Sequence, residues 1–362
     1  MTRTVKYIDL SRQYARLRRE IFTELEAVFD TGEFILGPRV NQFEERFARY
    51  LSARHCIAVG SGTAALALSL RVLGIGPGDE VIVPANSFVA TAGAVYEIGA
   101  KCLFADAADD MNLEPSEIER LTGPKTKAVI AVHLTGRPAP MTQITARAQS
   151  RGLFVIEDCA QAAGAAIGDQ KVGILGDLGC FSFHPLKTLN SAGDGGAVVT
   201  NSDERAEKLR SLRNHGLTDR DRVQYWGANS RLDELQAAVL LVNLRYFEDW
   251  TETRIRYARR YNESLADIVR VPAPAGDSRC VYHTYVIRAE ARDQLKDHLA
   301  RAQIETKIHY PVPLHRQKPA GNQPPLTNCQ RQAQRILSLP VHQHLTADDI
   351  DYVIENIKSF YR

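Results

Sequence analysis

Between about residues 55 and 200, short apolar runs rich in β-branched residues alternate with stretches of helical spacing, and this alternation constrains the fold more than any other feature of the chain. The runs are Val81 to Pro84, Cys102 to Ala105, Ala128 to Val132, Leu153 to Ile156, Cys180 to Phe183 and Ala197 to Thr200. Strands separated by helices predict an α/β fold with a mostly parallel sheet and helices on both faces. Arg231 to about Ala266 contains neither Gly nor Pro and carries leucines at helical spacing, which predicts one long helix. Beyond it the pattern changes. Val281 to Arg288 and Thr306 to Tyr310 read as strands, and Arg292 to Ala302 and Ala347 to Phe360 as helices, a smaller α+β unit. At 362 residues the chain has room for two domains, expected at 1–250 and 251–362.

Charge excludes some functions. The 45 basic and 43 acidic side chains leave a formal charge of +2, with no basic tract interleaved with aromatics, so neither nucleic acid nor a membrane surface is an expected partner. No apolar stretch approaches a membrane span, and the start lacks the apolar block of a signal peptide, so a cytoplasmic location is expected. The six cysteines are dispersed without a C-x-x-C pair and read as reduced core residues.

Three local features carry chemistry. Gly60-Ser-Gly-Thr-Ala-Ala-Leu follows the apolar run His55-Cys-Ile-Ala-Val and opens a helix, so Ser61, Gly62 and Thr63 offer free N–H groups and a helix dipole to a phosphate. Gly152-Leu-Phe-Val-Ile-Glu-Asp reads as a buried strand ending in Glu157 and Asp158, where open α/β sheets place their sites; Asp158 is the carboxylate expected at a protonated ring nitrogen. Lys187 follows in Cys180-Phe-Ser-Phe-His-Pro-Leu-Lys. An amine for an aldehyde, an acid for a ring nitrogen and a phosphate cradle are what pyridoxal phosphate requires, and Phe88 offers a ring to stack on it.

Each residue alone has a plainer reading. Lys187 could be a solvated surface lysine, Asp158 the N-cap of a helix starting at Cys159, and Phe88 a core side chain. Gly60, Gly62 and Ala65 also fit the dinucleotide pattern G-x-G-x-x-G/A, with Asp79 about twenty residues on. That acid should end the second strand, whereas Asp79 and Glu80 precede the run at Val81 and sit in a Gly-Pro-Gly-Asp turn.

With these residues placed, the chain resembles the DegT/DnrJ-type sugar aminotransferases, a branch of the fold-type I pyridoxal phosphate enzymes. The resemblance runs nearly end to end. It is carried by Phe34-Ile-Leu-Gly-Pro, the Gly60 and Lys187 segments, Ser87-Phe-Val-Ala-Thr-Ala, Glu157-Asp-Cys-Ala-Gln-Ala, Gly193-Asp-Gly-Gly-Ala, Asn229-Ser-Arg-Leu-Asp-Glu-Leu-Gln-Ala-Ala and Ser338-Leu-Pro-Val-His. It implies that Lys187 bonds the cofactor and carries the proton, that Asp158 pairs with the ring nitrogen and Gln161 with the ring hydroxyl, and that Ser182 joins Ser61, Gly62 and Thr63 at the phosphate.

The resemblance further implies a homodimer with shared active sites, in which Asn229 reaches the partner's phosphate, although the residue alone could equally cap the long helix. The segment from Thr306 to Gln317 is similar to that of relatives that aminate C3 of a nucleotide-linked 3-keto sugar. His309 and Tyr310 are then expected near the nucleotide sugar and Arg231 near sugar or diphosphate, with glutamate as the amino donor. Alone, His309 could pack at a strand end and Arg231 could face solvent from the helix. Amination of a 4-keto sugar or a cyclitol ketone is the nearest alternative. A dehydratase is disfavoured because that branch has histidine in place of Lys187, and a non-catalytic sensor because all three cofactor features are present.

Overall fold

The computed structural model describes residues 3–362. Two helices come first, α1 (Leu10–Thr31) and α2 (Pro38–Leu51). The alternating part follows as β1 (His55–Val59), α3 (Gly62–Val72), β2 (Glu80–Pro84), α4 (Val89–Glu97), β3 (Lys101–Ala105), α5 (Ser116–Leu121), β4 (Thr126–Val132), α6 (Met141–Ser150) and β5 (Phe154–Asp158). The short pair β6 (Ala166–Ile167) and β7 (Gln170–Lys171) precedes β8 (Leu178–Ser182), β9 (Gly196–Thr200), α7 (Asp203–Leu212) and the long α8 (Glu234–Leu265). The chain continues through β10 (Ser278–Arg279), β11 (Tyr285–Arg288), α9 (Arg292–Arg301), α10 (Thr327–Arg335), β12 (Ile336–Leu339) and α11 (Ala347–Tyr361). No helix among the described residues is long and apolar enough to cross a membrane.

Seven strands form one sheet in the order β1-β9-β8-β5-β4-β2-β3. Every pairing from β8 to β3 is parallel, and β9 runs antiparallel to both neighbours. Successive side chains of a strand point to opposite faces, so a strand apolar throughout must be covered on both sides. In β4, Ala128, Ile130 and Val132 join the cluster under α3, α4 and α7, while Val129 and Ala131 join the one under α5 and α6. At the other end of the sheet α2 and α8 cover the second face through Phe43, Phe47, Leu240 and Phe247. Burying each such side chain contributes roughly 1.5–3 kcal/mol.

Helix α8 begins at Glu234 rather than Arg231, because Asp233 pairs with Ile35 in an antiparallel bridge. Its first half packs on the sheet side, whereas Tyr257, Ala258, Tyr261 and Leu265 enter a separate cluster with β11, β12, α9 and α11. Val5 belongs to that second cluster too, held by backbone hydrogen bonds to Gln303 and from Glu305.

Two expected strands differ. The run from Val281 shortens to β11, because Val281 and Thr284 donate instead to the carbonyls of Gly136 and Thr135. Thr306 to Tyr310 is not a strand: only Lys307 pairs, with Ser338, and Pro311 lacks the N–H that a longer ladder needs. All six cysteines are buried and free.

Candidate active site

At the carboxyl end of β5 the two acids separate. Glu157 is fully buried and accepts from the N–H groups of Gly173, Leu175 and Gly176 at 2.7–2.8 Å. His133 donates to it from Nε2 at 3.0 Å, since Nδ1 accepts from the Ala139 N–H. One residue on, the strand turns its side chain to the other face, and Asp158 enters a cavity of about 500 Å³. There Oδ2 accepts from Thr91 Oγ1 at 2.9 Å and Oδ1 from the Ala160 N–H at 3.1 Å. No helix starts at Cys159, so the capping reading of Asp158 does not apply: the chain forms a turn there.

Lys187 lines the same cavity, and among the described residues its amine has no hydrogen-bond or ion-pair partner. Burial pushes that amine below its ordinary pKa, against the pull of the Asp158 carboxylate. A lysine with a lowered pKa spends more time as the free base, the form that attacks an aldehyde or takes a proton.

The third element is the start of α3. Ser61 is its N-cap and accepts from the Ala64 N–H at 3.1 Å. The first N–H groups of a helix have no intrahelical acceptor, which leaves those of Gly62 and Thr63 at the cavity. A Cβ on Gly62 would lie 2.6 Å from Ser182 Cβ, and one on Gly196 would lie 2.4 Å from the Ser61 carbonyl. Glycine at these positions lets the helix start, β8 and β9 converge on one anion-sized cradle, to which Ser182 also contributes.

Gln161 lies across the cavity. The Thr135 N–H donates to its Oε1 at 2.7 Å, which orients the amide so that Nε2 donates to the Tyr310 hydroxyl at 3.1 Å. Phe88 lies at the start of α4, 48% exposed, with its ring centroid 5.9 Å from that of Tyr310; it is a cavity wall and not core. Burial, then the Asp158 charge, raises the Tyr310 pKa, so its phenol stays protonated. His309 completes this wall, its Nδ1 2.9 Å from Ser338 Oγ. Burial and then the charges of Lys187 and Lys307 lower its pKa to about 4, so it is neutral near pH 7.

Asn229 and Arg231 stand apart. Asn229 is exposed, bridges to Asn214 and does not line the cavity; nor does it cap α8, whose N-cap is Asp233. Arg231 lies ahead of that helix rather than on it and donates to Asn214 Oδ1 at 3.0 Å. His315, towards the far end of the Thr306 segment, is buried elsewhere.

Several cavity residues carried no sequence signal. Tyr7 and Ile8 bring in the N-terminal segment, and His283, Thr284 and Lys307 the C-terminal one. Only Thr91 had a local cue, lying one helical turn after Ser87, whose hydroxyl is 2.8 Å from its own.

The residues fit pyridoxal phosphate: an unpartnered, half-buried amine, a carboxylate with unused lone pairs and a glycine-walled anion cradle share one cavity. Comparison with known proteins agrees. The profile of the DegT/DnrJ/EryC1/StrS aminotransferase family matches residues 15–358. The UDP-N-acetyl-3-dehydro-alpha-D-glucosamine 3-aminotransferase of Acidithiobacillus ferrooxidans is 44% identical, over 96% of this chain and 95% of its own. The dTDP-3-amino-3,4,6-trideoxy-alpha-D-glucose transaminase of Streptomyces venezuelae is 40% identical, over 99% of this chain and 97% of its own. The crystal structure of S. venezuelae DesV in complex with a ketimine intermediate superposes with a TM-score of 0.97 at 40% identity, covering 100% of this chain and 99% of that one.

Proposed function

Because the chain belongs to the DegT/DnrJ/EryC1/StrS aminotransferase family, we propose that it moves an amino group from an amino acid, glutamate foremost, onto C3 of a keto sugar carried by a nucleoside diphosphate. It is an aminotransferase, and its cofactor is pyridoxal phosphate. When bound, that cofactor supplies an electron sink for the carbanion formed as the amino group changes partners. The observation that carries the reading is the meeting of Lys187, Asp158 and the start of α3 in one cavity.

In this reading Lys187 Nζ bonds the cofactor and then moves a proton at the reacting carbon. The Asp158 carboxylate keeps the ring nitrogen protonated, with Thr91 holding it in place. The N–H groups of Gly62 and Thr63 and the hydroxyls of Ser61 and Ser182 hold the phosphate. Gln161 reaches the ring hydroxyl and Phe88 covers a ring face. The part of the chain at 1–250 binds the cofactor, and 251–362 closes the cavity from the other side.

Amination at C3 is supported by the two named relatives, both of 3-amino or 3-dehydro sugars, and by the presence of His309 and Tyr310 in the cavity wall. We place the active enzyme as a homodimer in which Asn229 reaches the partner's phosphate and Arg231 lies near the sugar diphosphate. Asn229 is exposed and outside its own chain's cavity, and Phe88 and Leu186, at 48% and 47% exposure, leave apolar surface at the cavity's edge. In the decisive experiment, enzyme carrying the amino group is mixed with matched 3-keto and 4-keto nucleotide sugars. Faster discharge onto the 3-keto sugar is expected; equal or faster discharge onto the 4-keto sugar overturns the regiochemistry and leaves the transaminase in place.

A further inference from the structure

The cavity has few charges to meet its substrates. Among the described residues that line it, Lys187 and Lys307 are the only lysines, and no arginine joins them. Lys187 is committed to the cofactor in the reading above. Lys307 is exposed and makes no ion pair among the described residues. Its backbone pairs with Ser338, the same residue whose hydroxyl holds His309 Nδ1 at 2.9 Å, so lysine and imidazole stand side by side on one strip of chain.

Across that imidazole lies Tyr7, its ring centroid 5.8 Å from that of His309. The Tyr7 hydroxyl is shielded from solvent and makes no well-formed hydrogen bond among the described residues, its nearest polar neighbour being the Ser338 hydroxyl already engaged with His309. A buried unpaired hydroxyl costs about 1–3 kcal/mol, which a ligand in the cavity would recover. Burial raises the phenol's pKa, so the group keeps its proton and acts as a donor. A cation and a protonated phenol beside one neutral ring form a recognition pattern for an anion.

We infer that the Lys307 ammonium and the Tyr7 hydroxyl together hold a carboxylate of the amino-acid donor. This rests on the donor half of the reading above, that the amino group comes from an amino acid. The donor's α-carboxylate sits on the carbon that must reach Lys187, so it has to enter the cavity. The diphosphate of a nucleotide sugar hangs outside the ring from C1, two carbons from C3, and can project toward groups outside. Both substrates occupy the cavity in turn, so a cation inside it serves the one whose charge lies nearest the reacting carbon.

The test uses the cofactor-loaded enzyme with whichever amino acid the wild type turns over best, so that the donor's identity is settled separately on the wild type. Lys307→Met should raise KM for that amino acid about tenfold or more and Tyr7→Phe by a smaller factor, with KM for the keto sugar within about twofold of wild type. Lys307→Arg should restore most of the loss. Calorimetric titration with glutarate, a dicarboxylate without an amine, should show the same order of weakening without any turnover. Unchanged donor KM and glutarate affinity in Lys307→Met, or a rise in the sugar's KM as large as the donor's, overturns the subsite. Because Lys307 is exposed and Tyr7→Phe keeps the ring, unchanged melting temperatures are expected and separate these outcomes from misfolding.

Discussion

Thr91 Oγ1 donates a 2.9 Å hydrogen bond to Asp158 Oδ2 while lying 2.8 Å from Ser87 Oγ. The carboxylate is thus held by the first turn of α4 and by its own strand end, and cannot swing away from the cavity. Asp158→Asn should leave the fold intact yet slow the amino-donor half reaction at least roughly a hundredfold, because an amide cannot balance a pyridinium charge. Thr91→Val should cost less, about tenfold, since the charge stays and only its aim is lost. Single-turnover stopped-flow on both variants checks the order; an unchanged Asp158→Asn rate rejects the assignment.

Lys187→Ala should keep part of its cofactor through the phosphate cradle but lose turnover and covalent labelling by borohydride. Mixed with an inactive Asn229 variant, it should regain activity in heterodimers, because one of the two sites then receives both intact residues. Heterodimers that are confirmed and folded but stay inactive would show that Asn229 does not act across the interface.

Glu157 is adjacent to Asp158 but should behave differently. Its fully buried carboxylate collects three backbone N–H groups and the buried His133. Glu157→Ala strands those donors and should cost about 3–5 kcal/mol of stability. Urea unfolding should show the loss, while protein that remains folded keeps its cofactor absorbance.

Stability should fall on mild acidification. Burial holds His342 at about 3 and both His309 and His344 at about 4, against an ordinary 6.5. Unfolding exposes all three, so below pH 6.5 the unfolded chain binds protons that the folded one refuses, and stability drops from about pH 6.5 towards 4. Above that window they add no slope. In His342→Gln the decline between pH 6.5 and 4 should be shallower, as read from urea midpoints; an unchanged slope removes His342 from the account.

What could be read from the sequence was what is local. β2, β3, β4, β5, β8 and β9 each centre on a short apolar run, which is how a strand buried on both faces reads. Lys187, Asp158 and the start of α3 each carry a short-range signature, and the fold brings them into one cavity. Asn229 next to a long helix looked like a cap, but the bridge between Ile35 and Asp233 moves the helix start downstream. Thr306 to Tyr310 looked like a strand, yet the proline after it and the single pairing with Ser338 limit it to a bridge. Nothing near Tyr7 indicates a cavity, and Lys307 had no signal of its own beside that of His309 and Tyr310, since what both face is made by distant parts of the chain.

The Tyr7 N–H donates to Glu305 Oε2 across 298 positions of sequence. A wall of the cavity is therefore held by two stretches of chain that lie far apart in sequence. Contacts this remote in sequence form only after the cost of closing the intervening chain has been met elsewhere. The seven-stranded sheet, the start of α3 and Lys187 all lie within the intervening stretch. The two halves of the cavity therefore depend on different parts of the chain, one local to the sheet and one joined only by a contact of very long range.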